Sequence, residues 1–401
     1  MNRNIILSVL VFLSCNIAGA QERVITGEQL QATAKIVLGP YLQAVDEDSF
    51  TVVWMTDMDS AAWVEVAPDD GTHFYACERP KYYETIIGKR PVGKLHKVRV
   101  DGLEKGTTYR YRVMQKVLLS EVGQKKLVFG RESGNDPFRW KPYTVTTRNP
   151  DAEDFDFAVI NDIHGKDSVF RMLMKDVMAD SIDAVFFNGD MLSAMDNQNQ
   201  LLKGYLTSAA ELFGANIPFY HGRGNHESRG WFAYRFLDFF PTTTGETYYM
   251  VRQGPAAILV LDCGEDKPDS DISYDGLICN DMYREKEARW LEKIVETAAF
   301  KEATYKLVLL HIPASDGGWH ANYEIQRLFM PILEKAGIDL MISGHIHRYS
   351  YSEAGVRAKS FPVLINGASE KHYFHVTKEG MTARRISADG TVLHEYSFPK
   401  K

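Results

Sequence analysis

Residues 341–350 read MISGHIHRYS: a short apolar run, a glycine, then His345 and His347 one residue apart. Side chains at i and i+2 of an extended chain share a face, so both imidazoles can reach one point or both can face solvent. The pair decides nothing alone. What matters is whether other apolar runs end the same way, and four do. FAVINDIHG (157–165) runs into Asp162 and His164, VFFNGDM (185–191) into Asp190, FYHGRGNHE (219–227) into Asn225 and His226, and LVLLHIP (307–313) into His311.

Between these runs lie stretches with helical periodicity: VFRMLMKDVMAD (169–180), QLLKGYLTSAAELFG (200–214) and YREKEARWLEKIVETA (283–298). Fully apolar strands alternating with helices imply an α/β domain whose sheet is covered on both faces. In such sheets ligands gather beyond the carboxyl ends of the strands. Past Phe361, the segments FPVLINGA, YFHVTKEG, MTARRISADG and TVLHEYSF return to short strands and are expected to close one edge.

The first part of the chain has another character. SFTVVWMT (49–56), AAWVEVA (61–67), KLHKVRVDGL (94–103) and TTYRYRVMQK (107–116) alternate apolar and polar residues between turn-forming stretches. Short strands at that spacing predict an antiparallel β-sandwich over 36–148. VRVDGLEKGTTYRYRV (98–113) resembles a fibronectin type III segment, and TTRNPDAEDFD (146–156) marks the boundary to a second domain over 149–401.

The opening residues MNRNIILSVLVFLSCNIAGAQERV read as an export signal. Arg3 supplies the positive start, the apolar run is too short to span a bilayer, and Ala18-Gly19-Ala20 forms a small-residue cleavage site. Residues 1–20 are therefore expected to be removed, leaving an arm at 21–35 and a periplasmic or extracellular protein. FLS before Cys15 is a poor match to a lipid-attachment box, which argues against anchoring there. No transmembrane segment is expected once the signal is gone. Export permits disulfides, and Cys263 and Cys279 are close enough to staple one loop, with Cys77 left over. A formal charge of −7 without a basic block gives no support for a nucleic-acid partner. Nothing in the sequence sets an oligomeric state.

Each strand-end residue has an ordinary reading. An Asp after a strand caps a turn, a lone His is commonly a satisfied core residue, and Gly-Asn-His is turn chemistry. Five such ends together, with glycine neighbours, point to a metal site. Carboxylate, imidazole and amide oxygen without thiolate suit Zn, Mn or Fe. The donors Asp162, His164, Asp190, Asn225, His311, His345 and His347 exceed one tetrahedral shell. They suffice for two divalent or mixed-valence ions sharing a bridging carboxylate, spaced roughly 3.5–4 Å apart as in two-metal phosphoryl-transfer sites.

The ordered series Asp-x-His, Gly-Asp, Gly-Asn-His-Glu, His and Gly-His-x-His resembles the calcineurin-like metallophosphoesterase superfamily over about Phe155 to Ser352. With the sandwich in front, opening as LGPYLQAVDEDSFTVVWMT, the chain is similar to purple-acid-phosphatase-like proteins. The resemblance implies a four-layer α/β/β/α catalytic domain. It places Asp162, His164 and His347 on a first ion, Asp190 between both, and Asn225, His311 and His345 on the second. It implies attack by metal-bound hydroxide, with His226 contacting the phosphate and assisting the leaving oxygen. Two positions depart from the purple enzymes: His164 stands where they have Gly, and Ser193 where they have the Tyr that binds ferric iron. No purple band and no obligatory ferric ion are therefore expected.

The function so implied is that of an exported, acid-phosphatase-like hydrolase acting on a small phosphorylated substrate, a monoester before a diester. The alternatives are a phosphodiesterase with the same centre, or a sandwich-based binding or adhesion protein with a vestigial metal site. His221, Arg223 and Arg229, near His226, are candidate substrate contacts, as are Trp319 and His320 of SDGGWHANYE. The loop between Gly264 and Tyr283 reads as a lid or a polar insertion.

Overall fold

The computed structural model describes residues 25–122, 126–135, 142–314, 318–356 and 359–400. The expected export signal, with Cys15, lies outside them. Among the described residues, seven strands between Ile36 and Thr146 form one antiparallel hydrogen-bonded network. The segments 49–56 and 61–67, which read as two strands, are one: Phe50–Pro68. Its first half pairs with Ile36–Gln43 and Val92–Val100, and its second half with Thr108–Val122. The register slips between Met55 and Ser60, and such irregularities bend a strand. Val52 and Trp54 from one half thus share a core with Val64 and Val66 from the other, closed by Val98, Tyr111 and Val113.

From Asp154 onward, the described residues include twelve strands in two mixed sheets of six. The first runs Phe219–Gly222, Ala184–Asn188, Asp154–Ile160, Glu370–Thr377, Gly380–Ser387, Val392–Pro399, its first three strands parallel. The second runs Tyr249–Gln253, Ala256–Leu261, Tyr305–Leu310, Leu340–Ser343, Val363–Ile365, Ser350–Ser352, with four parallel strands inside antiparallel edges. Phe155, Phe157, Phe186, Ile258, Leu307 and Ile342 pack between the sheets. Val185, Phe187 and Phe219 on the outer face of the first sheet meet Phe170, Leu173 and Phe213 from helical segments. Leu259, Val308 and Met341 on the outer face of the second meet Leu291, Ile325 and Leu333. The four layers are those the resemblance implies. An apolar pattern cannot by itself separate one helix-covered sheet from two stacked ones, because either neighbour buries the same face. For the same reason the strands beyond Phe361 do not close one edge but divide between both sheets.

The helical stretches form at Asp167–Met174, over 198–214 with two π-helical segments, and at Asn280–Ile294. The sandwich is not suspended from this body. Leu38, Tyr41, Val53 and Met55 enter the same apolar cluster as Ile160, Phe187 and Phe219. Tyr41 Oη donates to Phe239 O at 2.9 Å, Gln43 Nε2 to Phe219 O at 2.9 Å, and Tyr111 Oη to Ala215 O at 2.6 Å. The strand that leads into Asn225 and His226 is thereby braced from the amino-terminal side.

The expected staple is absent, since Cys77, Cys263 and Cys279 are all free thiols. Cys263 is fully buried among Leu261 and Ile312, whereas Cys279 is exposed just before the helix Asn280–Ile294. Closeness in sequence does not bring the two sulfurs together. Among the described residues no helix is long and apolar enough to cross a membrane.

Candidate metal centre

Three strand ends of the first sheet and two of the second converge on one rim of the stack. Asp162 and His164 follow Asp154–Ile160, Asp190 follows Ala184–Asn188, and Asn225 and His226 follow Phe219–Gly222. From the second sheet, His311 follows Tyr305–Leu310, and His345 and His347 follow Leu340–Ser343. The sheets are tied here directly, as His345 N donates to Asp162 Oδ2 at 3.0 Å. One ligand atom each from Asp162, His164 and His347 lies within 4.8 Å of the others. The same holds for Asp190, His311 and His345, and for His164, Asp190 and His226.

This convergence is held in strained backbone. Nine non-glycine residues among those described have left-handed φ, and five are here: Asp162 (55°), His164 (50°), Asp190 (53°), His345 (71°) and His347 (56°). Each such residue costs about 1–3 kcal/mol, so the surrounding structure must over-determine the bends. Glycines make the room. A Cβ on Gly224 would sit 2.3 Å from Asp190 Oδ1, and one on Gly344 would sit 2.7 Å from Asn161 Nδ2 and 2.8 Å from Asp162 Oδ2.

The donor set fits a bound cation. Asp162 Oδ1 and His345 Nε2 are buried and have no hydrogen-bond partner, although buried polar atoms are nearly always paired. His311 Nδ1 is turned to Asn188 O at 2.7 Å, which leaves Nε2 facing Asp190 Oδ2 at 3.0 Å and Asp162 Oδ1 at 3.9 Å. Burial alone would push the His311 pKa down; the charges of Asp190 and Asp162 outweigh it and raise it to about 10. The site thus attracts positive charge. His345 Nδ1 contacts Asn225 Oδ1 at 3.1 Å, and burial lowers its pKa to about 4, so its ring is neutral with Nε2 free. His164 Nε2 and His347 Nε2 lie 3.0 Å apart, and His347 Nε2 lies 3.3 Å from Asp162 Oδ1.

His226 stands beside these groups. Its Nδ1 lies 2.7 Å from Ser193 O, and its Nε2 lies 3.8 Å from Asp190 Oδ2. The Arg229 guanidinium approaches both ring nitrogens, at 3.2 and 3.1 Å, and is itself held by Glu265 through contacts of 2.6 and 2.7 Å. The other candidate substrate contacts fare differently. Trp319 meets the His345 ring edge-on at 4.4 Å and is partly exposed. Arg223 pairs with Asp262 at 2.8 Å and is mostly buried. His320 is turned to Asp281 at 2.8 Å, on the helix Asn280–Ile294. His221 is a correction: it is buried, bonded to Tyr205 Oη at 2.9 Å and packed on Phe236 and Phe240, so it belongs to the core and not to the site.

Two supports lie outside the donor set read from the motifs. Glu227 is fully buried and accepts backbone N–H groups from Asp190 (2.8 Å), Leu192 (3.0 Å) and Gly224 (2.9 Å). Burial and the neighbouring Asp190 charge push its pKa up to about 7. It clamps two strand ends into one loop. Asn161 Nδ2 donates to Asp162 Oδ2 at 2.5 Å, and Asn366 Nδ2 to Asn161 Oδ1 at 2.7 Å, with His372 behind at 2.8 Å. Glu227 does stand in the quoted Gly-Asn-His-Glu stretch, but nothing in its spacing separates it from a solvated acid. Asn366 lies two hundred residues away and carries no signal.

A model of the calcineurin-like phosphoesterase family matches residues 155–349, which include every strand end of the centre. Residues 155–349 are a calcineurin-like phosphoesterase domain. A second model, the purple acid phosphatase N-terminal domain, matches residues 39–147. The solved structure of purple acid phosphatase PPD1 from yellow lupin (Lupinus luteus) seeds superposes with a TM-score of 0.61 over 91% of this chain and 74% of that one. At 13% identity this likeness establishes the shared two-domain fold. The mouse (Mus musculus) serine/threonine-protein phosphatase CPPED1 is 25% identical over 190 residues, 46% of this chain. The chain spans 57% of the length of that relative. The phosphoesterase domain therefore carries at its strand ends His and Asp clusters able to hold metal, behind a purple acid phosphatase N-terminal domain.

Proposed function

We propose that the protein is an exported phosphatase that hydrolyses phosphate monoesters at a two-metal centre. The observation that carries this reading is the pair of buried, unpartnered donor atoms, Asp162 Oδ1 and His345 Nε2, on strained strand ends. Asp162, His164 and His347 would hold one ion, Asn225, His311 and His345 the other, with Asp190 between them. Ions held there would supply Lewis acidity. The chain's own residues do the rest. Glu227 fixes the Asp190 and Gly224 backbones, and Asn161 fixes Asp162. His226, with Nδ1 directed at the Ser193 carbonyl, presents Nε2 beside Asp190, where it can give a proton to the departing oxygen. Hydrolysis breaks the P–O bond to the alcohol, water forms the new one, and the alcohol leaves with one proton. Relatives and neighbours named as phosphatases support the monoester reading, and the leader-like residues 1–20 support export.

A second reading, a phosphodiesterase, is favoured by one feature. A cleft of about 440 Å³ opens at His164 and is lined by Ser193, Asn197, Gln200 and Lys203, giving room for a second ester arm. Metal-stripped protein reconstituted with Zn, Mn or Fe, and assayed on monoester and diester reporters, tests both. Turnover of the diester alone would displace the monoester reading. Activity indifferent to metal would remove both.

A further inference from the structure

Beside His226 opens a larger cleft, of about 1130 Å³. Arg229, whose guanidinium touches the His226 ring, is part of its wall and joins the cleft to His226, while no residue of the metal centre itself lines it. Trp231, Tyr234, Tyr274, Leu277 and Ile278 are among the residues that line it. Trp231 is 80% exposed, Tyr234 84% and Leu277 72%. Scattered apolar side chains at a surface are ordinary, but several converging in one cleft mark a binding surface. The space exceeds what a phosphate fills and matches or exceeds the roughly 300–1,000 Å³ of a drug-sized ligand site.

The loop that carries Tyr274, Leu277 and Ile278 is pinned at both ends. Asp269 accepts the N–H groups of Asn280 at 2.9 Å and Asp281 at 3.1 Å, which pins the loop to the start of the helix Asn280–Ile294. Glu265, at the loop's other end, holds Arg229. A cleft lined by aromatic side chains and joined to His226 through Arg229 can recognise what is attached to phosphate, since phosphate itself has no use for π faces.

We propose that this cleft binds the leaving-group half of the substrate, and that this half carries an aromatic ring, as an aryl alcohol or a nucleoside does. The proposal rests on the phosphoesterase reading of the metal centre and adds the substrate class. Ring stacking on Trp231 and Tyr234 would supply the selectivity, because each ring offers a flat apolar face.

Two measurements on the full chain test it. In the first, kcat/KM of metal-reconstituted protein is compared for naphthyl phosphate, a nucleoside 5′-monophosphate and glycerol phosphate. A preference of about tenfold or more for a ring-bearing ester over glycerol phosphate is expected, and the ratio should collapse in Trp231→Ala and Tyr234→Ala. A flat ratio, or one the variants leave unchanged, overturns the proposal. In the second, metal-free protein is titrated with naphthol and with adenosine while tryptophan fluorescence is followed. Saturable quenching that Trp231→Phe abolishes supports ring binding, and the tighter ligand tells aryl from nucleoside. No quenching by either overturns it even if the metal centre proves active, and quenching without hydrolysis of any ester faults the phosphoesterase reading instead.

Discussion

His96 in the sandwich and His311 at the strand-end rim are both buried imidazoles, 3% and 1% exposed. His96 lies against Trp54, and its Nε2 meets Thr56 Oγ1 at 3.0 Å. Burial drives its pKa down to about 4. His311 has a carbonyl on one nitrogen and two carboxylates facing the other, and its pKa moves the opposite way. Burial alone therefore says nothing about role. His96 has a polar neighbour of no net charge, whereas His311 is held between acceptors that call for a cation; His345, neutral beside the Asn225 amide, shows that a candidate ligand can share the first pattern.

The strongest way to break this contrast is to remove the cation. Chelation, or His311→Ala, is expected to lower phosphatase activity by at least about a thousandfold, the several kcal/mol that Lewis-acid stabilisation supplies. Measured metal content should fall with it. A stripped protein as active as the loaded one would end the distinction. Next in size, His226→Ala is expected to lower kcat by about 10²–10⁴ on an alkyl phosphate. The loss should shrink on an ester with a good leaving group. Equal losses on both would point to a metal or binding role for His226 in place of proton transfer.

The sandwich side is sharpened by pH. Unfolded, His96 titrates near 6.5; folded, near 4. As pH falls the unfolded chain takes up the proton first, so this contribution to stability is full above about pH 6.5 and is lost progressively down to about pH 4. The loss amounts to about 3 kcal/mol. Urea midpoints at pH 7.5 and 4.5 should differ more in the wild type than in His96→Gln. Smaller again, Gly224→Ala should cost about 1–3 kcal/mol of stability, since its Cβ has no room beside Asp190; an unchanged melting temperature would show that the loop can yield. Last, metal-replete protein should show no tyrosinate-to-iron absorption band, because Ser193 stands where the purple enzymes place their tyrosine. A visible charge-transfer band would show that another phenolate reaches the metal.

Legibility in the sequence followed the chemistry of single strand ends. Asp190 and Asp262 both follow a fully apolar strand. Asp190 enters the centre, whereas Asp262 is consumed by Arg223, the Gly264 N–H and the Thr247 hydroxyl. Only the Gly-Asp pairing and its place in an ordered series set the first apart. His221 shows the converse failure: its nearness to His226 in the chain suggests a shared site, but alternation along Phe219–Gly222 turns it into the helix-covered face. Phe50–Pro68 read as two strands because its polar middle, Asp57 to Ser60, interrupts the alternation without interrupting the strand.

By itself the sequence determined the two-part organisation, the strand–helix alternation and the residue types at five strand ends. These are local properties, carried by periodicity and by which side chain follows which run. Tertiary structure alone decided how the strands divide between the two sheets, that Glu227, Asn161 and Asn366 hold the donors in place, that Cys263 and Cys279 stay apart, and that Trp231, Tyr234 and Leu277 line one cleft. Each of these joins residues distant in the chain, or turns a residue in a direction its neighbours do not encode. Burial and charge act through space, and the sequence records only order along the chain.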